Sequence, residues 1–316
     1  MGCSDFGVPT LYKIAENFHI SAVFTSIPKP YGRGHFNLEK TAIHKTAESL
    51  NLPVITVNSM KSSTIFNTIN ELEADVIVVV AYGFILGSNV LYNKKFGSIN
   101  LHPSDLPSLR GPAPLQYTIL NRLINTKICT IQMDENVDTG QILKSISVDL
   151  YKNIRYSELY KICADKGADL MYETLININN IVPILQIGDP SYTKKINKSD
   201  GMISAHETIE DIYAKFLAFE NWPGIYFLYN GATYKILNLK IDTITQFDQI
   251  IMDSSTEESS IEKLQKEFQI DDFTLSKNSL KLRVKNGYLD ILEIQPEGKK
   301  SMNIKDFLNG HIHIFK

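Results

Sequence analysis

The sequence predicts an α/β protein: a Rossmann-like, doubly wound and mostly parallel sheet, followed by a small OB-like β-barrel. Its 316 residues exceed what one hydrophobic core usually fills, so two domains are expected. The first half alternates β-branched runs with amphipathic stretches of helical period, which is typical of parallel sheets. The second half has short strands separated by turns such as Asn230-Gly231 and Asn286-Gly287, which is typical of a small antiparallel barrel.

A polar, lysine-containing stretch, residues 188–201, separates the two halves and is the best linker candidate. We therefore expect a first domain over residues 1–183, a linker over 184–203 and the barrel over 204–316. Strands are expected at 21–25, 54–57, 75–81, 97–101 and 129–133, and then at 225–229, 234–241, 280–284 and 288–294. Helices are expected at 38–50 with Asn37 as the cap, 64–73 with Ser63 as the cap, 115–125 after Pro112 and Pro114, 157–176 and 207–219.

Composition excludes several classes of protein. The formal net charge of −3 argues against a protein that mainly coats nucleic acid, so any polyanion must meet a local basic patch. The three cysteines, an odd number, offer no disulfide framework and indicate a reducing compartment such as the cytoplasm. The longest apolar run, residues 76–87, is shorter than the ~20 residues that span a bilayer. We expect a monomer with no signal peptide, no membrane contact and no metal.

Two polar residues at the end of a predicted strand are the first candidates for catalysis. Because side chains alternate along a strand, Asn100 and His102 share one face while Ile99 and Leu101 share the other. Pro103 cannot donate to a sheet, so the strand is expected to end where His102 points out. Open α/β sheets bind ligands at the carboxyl ends of their strands. Taken alone, the pair also fits a turn cap and a satisfied, half-buried histidine.

A second polar segment, residues 133–140, follows the next predicted strand. It places carboxylates in another carboxyl-end loop, which is expected to face the same crevice. Asn136 is expected at positive φ, because asparagine tolerates that region, and Gly140 supplies conformational freedom just beyond it. The two segments together favour a catalytic site over isolated structural roles.

These segments resemble the signature of the 10-formyltetrahydrofolate-dependent formyltransferases, N-x-H-x-S-x-L-P-x-x-R-G followed by D-x-G-x-D-T-G. The matching residues are Asn100, His102, Ser104, Leu106, Pro107, Arg110 and Gly111, and then Asp134, Asp138, Thr139 and Gly140. The chain departs from the pattern at Asp105, where leucine is usual, and at Asn136, where glycine is usual. Residues 84–87 also replace a Gln-x-x-Pro segment.

The resemblance implies transfer of a formyl group from N10 of 10-formyltetrahydrofolate, used as a cosubstrate, to an amine. Asn100 and His102 would donate hydrogen bonds to the oxyanion, and Asp138 would orient His102 and take up the proton of the amine. No covalent enzyme intermediate is required. The implied folate-binding residues are Tyr82, Gly83, Phe84, Ile85 and Leu86, then Ser104, Asp105, Leu106 and Pro107, and finally Asp134 and Val137.

Residues 219–226 and 295–302 resemble the second domain of the methionyl-tRNA formyltransferases, a branch of this family. This resemblance implies that the acceptor is the α-amine of initiator methionyl-tRNA. The loop 28–35, with Arg33 as its central charge, is similar to a basic insertion loop of these enzymes, although a Gly/Pro surface loop with a solvated arginine also fits. Further phosphate contacts are expected from Lys194, Lys195, Lys198, Lys299 and Lys300.

Within the resemblance, residues 1–11 match the loop and helix that follow the first strand in related enzymes. That strand lies centrally in a doubly wound sheet, and without it the neighbouring strands would be unpaired. We therefore expect either that the natural start lies a few residues upstream or that the sheet carries a defect. A chain extended upstream is expected to be more stable than residues 1–316.

Two alternatives stay open at this point. The first keeps the chemistry and changes the acceptor to a nucleotide sugar or small amine, or makes the protein a formyl-folate hydrolase. The second is an RNA-binding module with the barrel as its working part, which would leave Asn100, His102 and Asp138 unexplained. Supplying 10-formyl folate with methionyl-tRNA, uncharged tRNA or sugar amines distinguishes these functions.

Overall fold

The structure, a computed structural model, describes residues 1–31, 37–243, 268–269, 272–276 and 278–315. The chain divides into two compact units, Met1–Thr118 with Leu123–Lys195, and Ile119–Arg122 with Ile196–Lys316. The point of division at Lys195 lies inside the segment 184–203. Within the described ranges, no helix is long and apolar enough to cross a membrane.

The first unit has a Rossmann-like arrangement built on short parallel strands of mainly β-branched residues. β1 (Val23–Ser26) pairs with β4 (Val54–Val57), and β5 (Ile77–Val80) pairs with β6 (Ser98–His102), both in parallel. β-branched side chains suit extended backbone. All four residues of β1 are buried, which is typical of a parallel strand covered on both faces.

Residues 1–3 connect the two parallel pairs. The Gly2 amide donates to the carbonyl of Phe24 in β1 at 3.0 Å, and the Val80 amide in β5 donates to the carbonyl of Met1 at 3.0 Å. Gly2 also forms a parallel bridge with Val80. The start of the chain therefore lies between β1 and β5 and hydrogen-bonds to both.

A cavity of about 490 Å³ continues from Met1 between the same two strands. The α-amine of Met1 lies at this cavity and donates to the carbonyl of Val78 at 2.6 Å. Burial lowers the pKa of this amine from its ordinary value of 8.0 to about 5. The cavity is lined by residues 19–24 and 75–78, and by apolar side chains that include Leu11, Ile14, Ile69 and Leu175.

Two antiparallel strands, β7 (Asn125–Gln132) and β8 (Ile142–Asp149), extend the sheet beyond β6. β7 begins at Asn125, so the expected start at residue 129 was wrong. The helix expected at 115–125 is also shorter, because α5 (Pro114–Leu120) ends at Leu120. The physical reason is Arg122, whose φ of +52° takes the backbone out of the helical region.

The other helices of this unit cover the strands. They are α1 (Val8–Ala15), α2 (Ala42–Ser49), α3 (Ser63–Glu71), α4 (Ser88–Leu91) and α6 (Tyr156–Ile176), and α6 packs on α1 and β7. The expected cap at Asn37 was wrong, because Asn37 begins β3 (Asn37–Glu39), which pairs with β2 (Lys29–Tyr31). Thr41 caps α2 instead, since its hydroxyl accepts the amide hydrogen of His44 at 3.0 Å.

In the described part of the second unit, six antiparallel strands form a curled sheet: β9 (Ile225–Tyr229), β10 (Ala232–Thr243), β11 (Phe273–Leu275), β12 (Leu280–Val284), β13 (Gly287–Pro296) and β14 (Met302–Asn303). Their order is β11-β12-β13-β10-β9, with β14 paired to β13. A register shift at Asn238 in β10 is the irregularity expected of a bulge, which bends a strand. The predicted hairpin turn at Asn230-Gly231 is confirmed by φ values of +49° and +72°. The α-helices of the described part of this unit are α7 (Ile209–Ala218) and α8 (Ile304–His311).

Candidate active site

The end of β6 carries two polar side chains on one face. β6 lies between β5 and β7, and Ile99 and Leu101 are buried on its other face. Asn100 is half-buried, and 4% of the surface of His102 is exposed. β6 ends at His102, directly before Pro103. The strand therefore brings an amide and an imidazole to its carboxyl end.

The carboxylate of Asp138 contacts both of these side chains. Its Oδ1 accepts a hydrogen bond from Asn100 Nδ2 at 3.4 Å, and its Oδ2 lies 3.5 Å from His102 Nδ1. Oδ2 also accepts the backbone amide of Gly111 at 2.7 Å. The side chain of Asp138 is 16% exposed, so water competes weakly for these contacts. The structure brings the three predicted catalytic residues together and adds the Gly111 amide.

The imidazole of His102 is held on both sides. Its Nε2 lies 3.1 Å from the carbonyl of Leu109, a residue with φ of +58°. A carbonyl oxygen only accepts, so Nε2 carries the proton of this hydrogen bond. Both ring nitrogens therefore face oxygen acceptors inside the protein. Asn100, in contrast, has a second N–H group besides the one that points to Asp138.

The loop after β7 sets the position of Asp138. Asp138 has φ of +53°, whereas Asn136, which was expected at positive φ, is not among the left-handed residues of the described chain. The side chain of Asp134 organises this loop, since its Oδ1 accepts the Asn136 amide at 3.1 Å and the Thr139 hydroxyl at 2.5 Å. A Cβ at Gly140 would lie 1.7 Å from the carbonyl oxygen of Gln132, so only glycine fits there.

The chain returns to this site after α6. The Ser191 hydroxyl accepts the Leu109 amide at 2.9 Å, and the Thr193 amide donates to the carbonyl of Arg110 at 2.7 Å. Gln186 hydrogen-bonds to Arg110 and to the backbone of the Asp138 loop. Sequence reasoning assigned these residues to a linker and missed their contacts with the site. No sequence signal marks them, because each contact joins segments distant in the chain.

The predicted folate loop after β5 is divided between the core and the surface. Leu86 is buried, whereas Tyr82 and Phe84 are half-buried with ring centroids 5.1 Å apart. The Tyr82 hydroxyl donates to Met60 Sδ at 3.2 Å, and burial raises its pKa, so it stays protonated. Ile85 is 88% exposed and Gly83 is also exposed. In the loop after β7, Val137 is exposed next to Asp138.

The other predicted folate segment, the loop after β6, keeps most of its side chains inside. Ser104 is buried and its hydroxyl donates to the carbonyl of Ser108 at 2.6 Å. Leu106 lies in an apolar cluster with Cys129, and Pro107 is buried. Asp105 is exposed and pairs with Lys127 at 3.0 Å. Three of these four side chains therefore support the loop from within the protein.

Cys129 lies behind this loop as a buried thiol. Burial raises its pKa to about 11, and Sγ donates to the carbonyl of Ser104 at 3.3 Å. The thiol therefore stays protonated at neutral pH and acts as a small packing group. Among the residues that the structure describes, no group of three His, Cys, Asp or Glu side chains is arranged to hold a metal ion.

The predicted tRNA-binding residues are spread along the chain. Arg33 lies outside the described residues. Lys194 and Lys195 are exposed at the end of the first unit. Three more are exposed in the second unit: Lys198 in the short helix Lys198–Gly201, and Lys299 and Lys300 in the turn after β13.

Sequence comparisons show which known proteins this chain is similar to. The formyl transferase model matches residues 9–175, and the model of the formyl transferase C-terminal domain matches residues 195–312. A methionyl-tRNA formyltransferase from Rickettsia peacockii is 39% identical over 311 residues, which are 98% of this chain and 95% of that protein. Its counterpart from Rickettsia bellii is 38% identical over 312 residues, with the same two shares covered.

Solved structures of formyltransferases share the fold. WlaRD, a sugar 3N-formyl transferase solved with dTDP and 5-N-formyl-THF, has a TM-score of 0.60 at 18% identity, and the match covers 95% of this chain and 97% of that one. An N-formyltransferase from Helicobacter canadensis, solved with folinic acid and dTDP-3-aminofucose, has a TM-score of 0.59 at 18% identity and covers 92% and 96%. With family models that match most of its length, the chain belongs to the formyl transferase family.

Proposed function

We propose that this enzyme transfers a formyl group from N10 of 10-formyltetrahydrofolate to the α-amine of initiator methionyl-tRNA. The observation that carries the proposal is the convergence of Asn100, His102 and Asp138 at the carboxyl end of β6. Full-length identity of 39% with an enzyme named for this reaction supports the choice of acceptor.

The reaction requires orientation and charge stabilisation. The amine lone pair attacks the formyl carbon, a C–N bond forms, and the carbonyl oxygen becomes negative in a tetrahedral intermediate. Collapse of this intermediate breaks the bond from the formyl carbon to N10, which takes up a proton as it leaves. Two bound substrates react directly, so the enzyme contributes proximity and correctly placed hydrogen-bond donors.

Asn100 is the residue that we assign to the oxyanion. Its second N–H group is available for an oxygen at the end of β6, since the first points to Asp138. His102 was expected to share this role, but its Nε2 lies against the carbonyl of Leu109 and its Nδ1 faces Asp138. This geometry supports a positioning role for His102 and leaves the oxyanion to Asn100.

Asp138 is the group that we assign to proton transfer. The amine must be unprotonated when it attacks, because an ammonium has no lone pair. After the attack its nitrogen must lose another proton, and a nearby carboxylate can accept it. The hydrogen bonds from Gly111 and Asn100 hold both oxygens of Asp138 in place. The carboxylate can accept the proton of the amine and return it to N10.

A bound folate would contact exposed residues of the loops after β5 and β7. Gly83, Ile85 and Val137 are exposed on the two neighbouring loops, whereas Ser104 and Leu106 contribute through the backbone they support. This arrangement supports a pocket that recognises the pterin mainly through backbone groups and apolar contact.

We assign positively charged residues to the phosphates of the tRNA. These are Arg33, Lys194, Lys195, Lys198, Lys299 and Lys300, whose contacts would weaken as salt increases. We further propose that the enzyme acts as a monomer in a bacterial cytoplasm or an organelle matrix. Sedimentation at several protein concentrations tests the oligomeric state.

The test of the proposed function is a comparison of acceptors. Purified protein is given 10-formyltetrahydrofolate with methionyl-tRNA, uncharged tRNA or an amino sugar nucleotide, and formyl transfer is followed by mass spectrometry. We expect N-formylmethionyl-tRNA as the only formylated product, with tetrahydrofolate released. Formylation of the sugar, release of formate without an acceptor, or RNA binding without transfer would each contradict the proposal.

A further inference from the structure

The side chain of Gln186 connects two loops of the candidate active site through hydrogen bonds to Arg110, Asp138 and Gly140. Its Nε2 donates to the carbonyl of Asp138 at 2.8 Å and to the carbonyl of Gly140 at 2.8 Å. Its Oε1 accepts from Arg110, at 3.0 Å from Nε and 2.6 Å from Nη2. Both donors and both acceptor positions of the amide are therefore used.

The two donated hydrogen bonds are to a turn that contains a strained residue. Asp138 has φ of +53°, a conformation that is unfavourable for a residue with a Cβ and persists where the surroundings impose it. Gln186 bonds to the carbonyl of Asp138 itself and to that of Gly140, two positions later. The amide therefore holds the backbone that determines where the Asp138 carboxylate points.

The accepted hydrogen bonds reach the opposite loop. Arg110 precedes Gly111, whose amide makes the shortest contact with the Asp138 carboxylate, at 2.7 Å. Gly111 is itself confined, with φ of +107° and a Cβ position that would lie 2.8 Å from the carbonyl oxygen of Thr193. Gln186 thus links the loop that donates to the carboxylate with the loop that carries it.

The chain on either side of Gln186 is anchored. The amides and carbonyls of Ile184 and Ile142 exchange two hydrogen bonds of 2.8 Å, and the Arg110 amide donates to the carbonyl of Ser191 at 2.9 Å. Residues 182–185 and 187–190 are exposed, whereas Gln186 is half-buried. The segment therefore turns this one polar side chain inward.

We propose that Gln186 is a positioning residue for formyl transfer, which acts on the Asp138 carboxylate through the backbone of its loop. The inference rests on the catalytic role proposed for Asp138. The proposed role belongs to the N–H groups of Gln186 Nε2, because these groups donate to the backbone of the left-handed turn at Asp138.

Two substitutions separate the donors from the acceptor. Gln186→Glu keeps the length of the side chain and can still accept from Arg110, but it cannot donate to the carbonyls of Asp138 and Gly140. Gln186→Met removes both the accepted and the donated hydrogen bonds. We expect each variant to lower kcat by about 10- to 100-fold and to change the KM of either substrate by less than about threefold, because orientation is lost rather than binding. Wild-type kcat in Gln186→Glu, with a loss in Gln186→Met alone, would overturn the proposal.

Tyr192→Phe is the matched control. It removes the 3.1 Å contact between the Tyr192 hydroxyl and Arg110 on the exposed side, and we expect kcat to stay within about twofold of the wild type. Melting temperatures check that each variant folds. A loss in this control as large as in Gln186→Glu would show that Arg110 is the group that matters, against the proposal.

A double mutant tests whether Gln186 acts on the rate through the Asp138 carboxylate. In an Asp138→Asn background, Gln186→Glu is expected to cause little further loss, because the residue acts through the carboxylate already removed. A full, multiplicative loss would overturn the inference. Rates are measured with whichever acceptor the wild-type protein formylates. If that acceptor is not methionyl-tRNA, the proposed function is contradicted, but the role of Gln186 is still tested.

Discussion

At the scale of the residue, the candidate active site is a set of polar groups arranged around one carboxylate. Asn100, His102 and the Gly111 amide all face Asp138, while His102 also donates to the carbonyl of Leu109. Alternation along a strand shows in advance that Asn100 and His102 share a face. The conformation of the next loop decides which of their N–H groups is left for a substrate.

Asn100→Ala and Asp138→Asn are each expected to lower the single-turnover rate of formylation by about 10²- to 10³-fold, since each removes a group proposed to stabilise or accept charge. Binding of tRNA, measured by filter retention, should change little. Asn180→Ala and Asp149→Asn replace exposed residues of the same types and serve as controls. Near-wild-type rates in either active-site variant would remove that residue from the proposed mechanism.

At the scale of the element, the loop between β7 and β8 fits its carboxylate to the site by close backbone packing. Asp134 bonds within the loop, and Gly140 passes so near Gln132 that a Cβ would lie 1.7 Å from its carbonyl oxygen. The turn was predictable from its Asp, Asn and Gly content. The position of positive φ was not, because contacts with Gln186 and Gly111 stabilise it at Asp138.

Gly140→Ala is expected to displace this loop, lowering both the melting temperature and kcat, because the added methyl group collides with backbone that cannot move aside. The matched control is Gly310→Ala in α8, where a Cβ meets open space. There the substitution should leave activity unchanged and stabilise the helix by about 0.5–1 kcal/mol. Equal melting temperatures for the two variants would contradict this account of Gly140.

At the scale of the whole molecule, the sheet of the first unit depends on the start of the chain. Residues 1–3 connect β1 with β5, and the cavity of about 490 Å³ continues beyond Met1 between these strands. A buried amine at this position couples stability to pH. Its pKa is about 5 in the folded protein against an ordinary 8.0, so the unfolded chain binds an extra proton between these values.

The chain that begins at Met1 should therefore lose stability as pH falls from 8 to 5, by up to about 1.4 kcal/mol per pH unit from this group, with no further loss from it below pH 5. Two extended chains provide the comparison. Four polar residues added before Met1 should remove this part of the pH dependence, and four β-branched residues should also raise the melting temperature by filling the cavity.

Denaturant titrations from pH 5 to pH 8 measure the effect, and intact mass confirms that Met1 is the first residue of the shorter chain. Identical pH dependence in all three chains would show that the amine is not buried. Identical melting temperatures for the polar and β-branched extensions would show that the cavity does not take a strand.

The sequence by itself determined the alternation of strands and helices in the first unit, the hairpin turn at Asn230-Gly231 and the three residues that meet at the candidate site. These features depend on local patterns: alternation along β6, turn residues and the spacing within two motifs. Only the tertiary structure decided how those residues are used and what supports them. Gln186 lies 48 residues from Asp138, and its neighbours Ile184, Leu185 and Ile187 are exposed while it is half-buried. This arrangement reverses what hydrophobicity predicts, because hydrogen bonds to distant loops, rather than apolar burial, decide which side chain turns inward.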